Sequence, residues 1–309
     1  MVNQIAKYTT FLILIVLFIF GIYWLWQRQP KISNSQTPQT KTVQIQNPQE
    51  QQNPDLKPVD SSVLTATNIK LEGKTIPNSL VAIFSSNIAA ITKSENSGNF
   101  QADVTLTKGL NLIDLSIISQ DFRQEQKRTL TLYVSDNQND GSTVYVGPVK
   151  TIFDTLLSIS TNNGEKSIQA SKSTIISLPP PPNGEKEAID SPLKNIRIGD
   201  YLIVTGDLTQ DAQDEKLQAK KIDVIRENIP QNTRKLVLAK TLTTVRQNLF
   251  SAKNSTDNQI LEFTLNKNSQ ISLDGKETKS TDITKDRNSI IIYHVDNNKN
   301  IVDLICLLP

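Results

Sequence analysis

The chain opens on an unbroken apolar run. Thr9 to Trp26 reads TTFLILIVLFIFGIYWLW and holds no charge. Its length approaches the ~20 residues that cross the hydrocarbon core of a bilayer. The pattern predicts a transmembrane helix over residues 9–26, after a short leader over 1–8. A cleaved signal peptide has a shorter apolar core, about 7–15 residues, and ends in small residues. This run ends instead in aromatic rings. Tyr23, Trp24 and Trp26 suit the membrane interface, where an amphipathic ring keeps its polar edge wet. Residues 27–58 follow as a Gln-, Asn-, Pro- and Ser-rich stretch without apolar periodicity. Such a stretch buries too little surface to offset its ordering entropy, so a disordered linker is expected there.

From residue 59 to 135 the pattern switches to short strands. Leu80 to Phe84 is a compact apolar run, and Phe100, Ala102, Val104 and Leu106 alternate with polar positions. That period of two marks a half-buried strand. Pro77 with Asn78, Gly98 after Asn96-Ser97, and Gly109 after Lys108 supply the expected turns. About seven strands in so short a span predict a β-sandwich. Gly73-x-x-x-Pro77-x-x-x-Val81, Ser97-Gly98-Asn99-Phe100 and Leu106-x-x-Gly109-x-Asn111-x-Ile113 together resemble bacterial immunoglobulin-like domains. The pattern departs at Asp121-Phe122, where many members have a glycine turn. The resemblance implies a fold and no particular ligand.

Residues 136–142 read as a polar hinge. Two similar units follow, 143–227 and 236–309, joined by a linker over 228–235. In the first, strands are expected at 144–147, 156–160, 173–178, 198–206 and 217–225; in the second, at 236–240, 260–265, 269–273, 289–295 and 301–305. Ile176-Ser177-Leu178 echoes Ile271-Ser272-Leu273, and the matching order predicts a tandem duplication. Five strands per unit fit a small OB-like barrel. Ile198-Gly199-Asp200-Tyr201-x-x-Val204-x-Gly206 with Leu217-x-Ala219-x-x-Ile222 resembles small barrel domains of unknown function in bacterial envelope proteins. Gly199 and Gly206 are expected to make the turns that bracket a buried strand. Pro179 to Pro182 cannot enter a sheet interior and are expected to form a protruding loop. The fold class is therefore an all-β soluble region, a sandwich plus two five-stranded barrels, with one N-terminal transmembrane helix.

Composition narrows the chemistry. Thirty-three basic residues stand against 31 acidic ones, a net +2, without the clear basic excess of a nucleic-acid binder. Lys220, Lys221, Arg226, Arg234, Lys235, Lys240 and Arg246 form a basic stretch, but Asp211, Asp214, Glu215 and Asp223 interleave with it. Cys306 is the single cysteine and sits among apolar neighbours, so no intrachain disulfide forms. His294 is the single histidine, which leaves zinc sites without ligands and a Ser–His–Asp triad without accompanying motifs. Asp136 to Gly141 resembles a calcium loop only superficially, with Gln138 and Gly147 where ligands belong. No catalytic, cofactor or metal site is expected. The expected function is binding or scaffolding at the cell surface by a single-pass envelope protein, N-terminus cytoplasmic and β-domains outside. Its partners would be the bilayer through residues 9–26 and an envelope protein or polysaccharide. An accessory subunit of a secretion or pilus machine, and an enzyme acting on wall polysaccharide, are the alternatives.

Overall fold

The computed structural model describes residues 55–122, 125–180, 192–211, 214–273 and 275–308. The expected leader, the membrane helix with Tyr23, Trp24 and Trp26, and most of the linker lie outside the described residues. Among the described residues no helix is long and apolar enough to cross a membrane. Regular structure there consists of strands and short 3-10 turns.

The first module is a two-layer sandwich of β1 (Ser62–Leu64), β2 (Asn68–Lys74), β3 (Leu80–Phe84), β4 (Ala89–Lys93), β5 (Asn99–Thr105), β6 (Gly109–Ile118) and β7 (Glu125–Val134). One layer is the antiparallel pair β2–β5. The other runs β1-β7-β6-β3-β4, with β1 parallel to β7. Period-two alternation does the sorting. Leu71, Phe100 and Val104 from the small layer meet Val81, Ile83, Ile113, Leu115, Leu130 and Leu132 from the large one. Leu56 joins this core, and Lys57 pairs with Glu72. The expected linker therefore ends earlier than residue 58. One apolar residue among polar neighbours gives no periodicity to detect.

The expected turns separate in kind. Pro77 and Asn78 form a turn, Asn78 at φ 58°. Gly98 needs both positive φ and an absent side chain, since a Cβ there would lie 2.1 Å from the Thr75 carbonyl oxygen. Gly109 opens β6 and Gly199 precedes the fourth barrel strand, both at positive φ with open space around them. Phe122, where the sequence departs from the immunoglobulin-like pattern, adopts φ 57°.

The second module comprises β8 (Thr143–Phe153), β9 (Leu156–Thr161), β10 (Gly164–Gln169), β11 (Ile175–Ser177), β12 (Tyr201–Asp211) and β13 (Asp214–Ile225). Strands β8-β9-β10-β13-β12 close back onto β8, with β10 parallel to β13. The third module comprises β14 (Arg234–Thr241), β15 (Leu249–Asn254), β16 (Ile260–Thr264), β17 (Gln270–Leu273), β18 (Lys276–Glu277), β19 (Asn288–Asp296) and β20 (Lys299–Leu307). Here β14-β15-β16-β20-β19 close onto β14, with β16 parallel to β20. Both rings thus have the order first, second, third, fifth, fourth of an OB-like barrel. In each barrel a short strand, β11 or β17, runs parallel to the fifth strand on the same edge as the third and continues the wall beyond it.

That ring corrects the expected strand lists. The run 173–178 yields β11, a three-residue strand that continues the wall beyond β10 along β13, and the strand missing from the list is β10. Only Ile168 of β10 is buried, so the strand has no visible alternation. Likewise 269–273 yields β17, and β15 supplies the missing wall through Phe250 and Ala252. The third module begins at Arg234, inside the expected linker 228–235. Gly206, expected at a turn, sits inside β12 at a register shift. Pro179 and Pro180 lie outside any strand; Pro181 and Pro182 lie outside the described residues.

Three contacts join the modules. β1 pairs with β7 and, through Ser62, with Thr143 of β8, so one sheet continues from sandwich into first barrel. The expected hinge 136–142 is tied down: Ser142 donates its N–H to Gly206 O at 3.0 Å, and Val144 donates to Ser61 O at 2.8 Å. On the other side, Ala82, Phe84 and Ile118 of the sandwich pack with Ile290, Ile292, Leu304, Cys306 and Leu308 of the second barrel. Cys306 is a buried member of that apolar contact.

Candidate functional site

The outward positions of β6 and β7 build one wall of a groove. With Ile113, Leu115, Leu130 and Leu132 turned into the sandwich core, alternation turns Leu112, Asp114, Thr129 and Thr131 to the opposite face. Strand β8 and the β9–β10 turn of the first barrel form the facing wall, and Ile229 to Asn232 pass along the mouth. The space between is ≈ 390 Å³.

Its polar groups are held in place. Thr129 Oγ1 donates to Asp114 Oδ1 at 2.6 Å. Asn232 Nδ2 donates to Asp114 Oδ2 at 2.8 Å and also reaches Phe84 O at 3.1 Å. On the barrel side Tyr145 donates its hydroxyl to Glu215 Oε1 at 2.7 Å. Lys166 Nζ lies 3.4 Å from the same oxygen and 5.3 Å from the Tyr145 ring centre. Burial, and then the Glu215 hydrogen bond, push the Tyr145 hydroxyl up; that hydrogen bond and the Lys166 charge hold the Glu215 carboxyl down. Burial alone raises Tyr201. Asn163 Nδ2 donates across to Asp60 Oδ2 at 2.6 Å, which braces the two walls.

Below the groove, a second polar node sits between sandwich and second barrel. Arg234 donates from Nη1 to Ser85 O at 2.8 Å and from Nη2 to Asp303 Oδ1 at 3.1 Å. Its Nε lies 3.0 Å from Asp303 Oδ2, an ion-pair contact without hydrogen-bond alignment. His294 Nδ1 is 2.9 Å from that same Oδ2. The single histidine is therefore a partly exposed strand residue that shares a carboxylate with a structural arginine.

The basic stretch is paired along much of its length. Lys220 meets Asp207 at 2.7 Å, Lys221 meets Asp223 at 2.8 Å, and Lys240 meets Asp286 at 3.1 Å. Arg226 binds Asp200 through Nε and Nη2, each at 3.0 Å, and donates from Nη2 to Asn195 O at 2.7 Å. Among the described residues no three His, Cys, Asp or Glu side chains are placed to hold a metal ion. In the loop that resembles a calcium site, Asp140 accepts from Ser135 and Asn137, and Asp136 pairs with Lys108.

Asp200 gives a pH-dependent contribution. Burial pushes its carboxyl up, but the hydrogen bonds from Arg226 and the Arg197 N–H, with both positive charges, outweigh that and hold it below the ordinary 3.8. A carboxyl depressed in the folded state stabilises the fold fully above its unfolded value and loses that contribution as pH falls through the folded one. Asp200→Asn should therefore lower stability at pH 7 by about 2 kcal/mol, since it leaves a half-buried guanidinium without its counter-charge. The gap to the parent should narrow as pH falls below 3.8. Urea titrations at a series of pH values measure both. A gap independent of pH would refute the linkage.

Asp114, Asn232, Tyr145 and Arg234's partners are absent from the sequence reading as site residues. The one sequence signal for them is Asp114 itself, a lone charge within the run Leu110 to Ile118. No protein-family model matches the chain, and no curated protein does. Among solved structures, Drosophila Unr CSD456 is similar at 11% identity, with 76% of this chain and 98% of that chain covered and a TM-score of 0.21. A 1.5-MDa bacterial ice-binding adhesin is similar at 10% identity, with 82% and 95% covered and a TM-score of 0.20. At such scores neither likeness bears on function. Among the described residues the protein is of the all-β class, with two small five-stranded OB-like barrels.

Proposed function

We propose that this chain is a membrane-tethered cell-envelope protein whose β-domains act together as one platform for binding or scaffolding at the cell surface. The observation that carries the reading is the locking of the modules. A continuous sheet, a shared apolar contact and the Arg234–Asp303 node fix their relative orientation, which suits presentation of a composite surface. The sandwich is read as immunoglobulin-like: a β2–β5 layer against β1-β7-β6-β3-β4, closed by the parallel β1–β7 pair, supports it. The paired cations of the basic stretch weigh against a phosphate-backbone partner, because neutralised charges release no counterions. The tether is the apolar run 9–26, with the N-terminus cytoplasmic.

Topology in cells tests this. A tag placed after Pro309 should be removed by external protease from intact cells, or from spheroplasts if an outer membrane shields it. A tag before Met1 should survive the same treatment. Digestion of the C-terminal tag in inverted inner-membrane vesicles alone would place the β-domains in the cytoplasm and end the reading.

A further inference from the structure

We propose that the groove between sandwich and first barrel binds a neutral oligosaccharide. The inference rests on the envelope-binding reading above and deepens it by assigning a site and a ligand class.

The groove's walls are sheet faces. Strand β7 is paired with β6 along its length but with β1 only over Leu132 to Val134, and β8 is paired with β12 over Thr143 to Pro148 but with β9 only from Val149, so short stretches of strand edge remain at the groove and a peptide belongs among the comparisons. The polar side chains that line it are mostly hydroxyls and amides, among them Thr131, Asn162 and Gln231. Asp114 and Lys166 are the only charges among the described lining residues. They cancel, and each is engaged by a protein partner. A polyanion finds no surplus cation and a polycation no surplus anion.

Asp114 is the centre of the argument. An ionised carboxylate offers about four acceptor sites on its two oxygens. Thr129 and Asn232 each use one. They fix the plane of the carboxylate and leave acceptor capacity on both oxygens. Both N–H groups of the Asn232 amide are spent on Phe84 O and Asp114, so it holds the carboxylate still while sugar hydroxyls donate to the remaining lone pairs of Asp114. Tyr201, half-buried on the opposite wall, adds an aromatic surface of the kind that takes the C–H face of a sugar ring. The volume of ≈ 390 Å³ falls in the range of small-ligand clefts, about 300–1,000 Å³.

The test uses the full chain reconstituted in lipid nanodiscs. Cellohexaose, maltohexaose and N-acetylglucosamine hexamer are the probes, with polyglycerol phosphate and a Gln/Asn-rich peptide as comparisons. Binding is read by calorimetry and by saturation-transfer NMR. At least one neutral hexasaccharide should bind. Its affinity should fall tenfold or more in Asp114→Asn, which keeps the shape but loses acceptor capacity. It should fall similarly in Asn162→Trp, where an exposed residue at the groove is replaced by a bulky ring without disturbing the core. Three results overturn the proposal: no hexasaccharide binds the folded chain; binding is unchanged in both variants; or polyglycerol phosphate or the peptide binds in the groove in preference. The protease experiment reads tether and exposure independently, so a failed groove and a failed envelope assignment are distinguishable.

Discussion

Arg234→Met should lower the stability of the β region by about 2–3 kcal/mol, while adding Asp303→Leu to it should recover part of that loss. Arg234 and Asp303 are only 17% and 14% exposed at their side chains. Removing the arginine head leaves the Asp303 carboxylate partly desolvated beside His294, and leaves the Ser85 carbonyl with only the long 3.4 Å hydrogen bond from the Ile88 N–H. Breaking a fully buried pair costs about 3–5 kcal/mol, and residual water access here moves the expectation to the lower end. Methionine keeps the apolar stem in place, so lost packing does not confound the result. Removing the carboxylate as well abolishes the stranded charge, which is why the double variant should be the more stable. Urea denaturation of the parent, both single variants and the double variant measures the coupling. Strictly additive losses would show that the node contributes nothing as a unit. Because Arg234 bridges to Ser85, the single variant should also loosen the second barrel from the sandwich. Hydrogen exchange at β3, β14 and β20 reads that directly.

The node also marks where the sequence stops being informative. Strand β5, with one clean apolar face, is legible because burial imposes a period of two on it. Strand β19 is legible for another reason: both its faces are covered, one by the barrel core and one by the sandwich, so Ile290, Ile291 and Ile292 run together. The same double coverage is a signal of inter-module contact, visible only once the barrel's inside is known. Strand β10 is illegible because it buries one side chain. The groove is illegible because Asp114 and Asn232 are 118 positions apart and each alone reads as an ordinary polar residue. Glycines divide in the same way. Gly98 announces itself within a turn sequence, whereas the need for Gly206 arises from a neighbouring strand and a distant connecting segment.

Gly206→Ala should be among the most damaging single substitutions in the first barrel, at about 3 kcal/mol. Gly206 does not lie in the left-handed region, so the expected damage is steric. A Cβ there would lie 2.0 Å from the Gln218 carbonyl oxygen, on the paired strand β13. From the other side Gly141 packs so closely that its own Cβ would stand 2.3 Å from the Gly206 carbonyl carbon. Backbone atoms flank the site on both sides, and backbone in a closed barrel yields less readily than the tip of a side chain. Overpacking commonly costs about 1–3 kcal/mol, and this geometry belongs at the top of that range. Gly109→Ala is the matched comparison: its φ is 84° but nothing lies within 4 Å of the added methyl, so it carries only the dihedral penalty of about 1–2 kcal/mol. Equal losses in the two variants would mean that the β12 bulge relaxes freely. A larger loss at Gly206, together with faster hydrogen exchange at Ser142 and Val144, would establish that the close glycine contact holds the connecting segment against the barrel and thereby sets the angle between the groove's two walls.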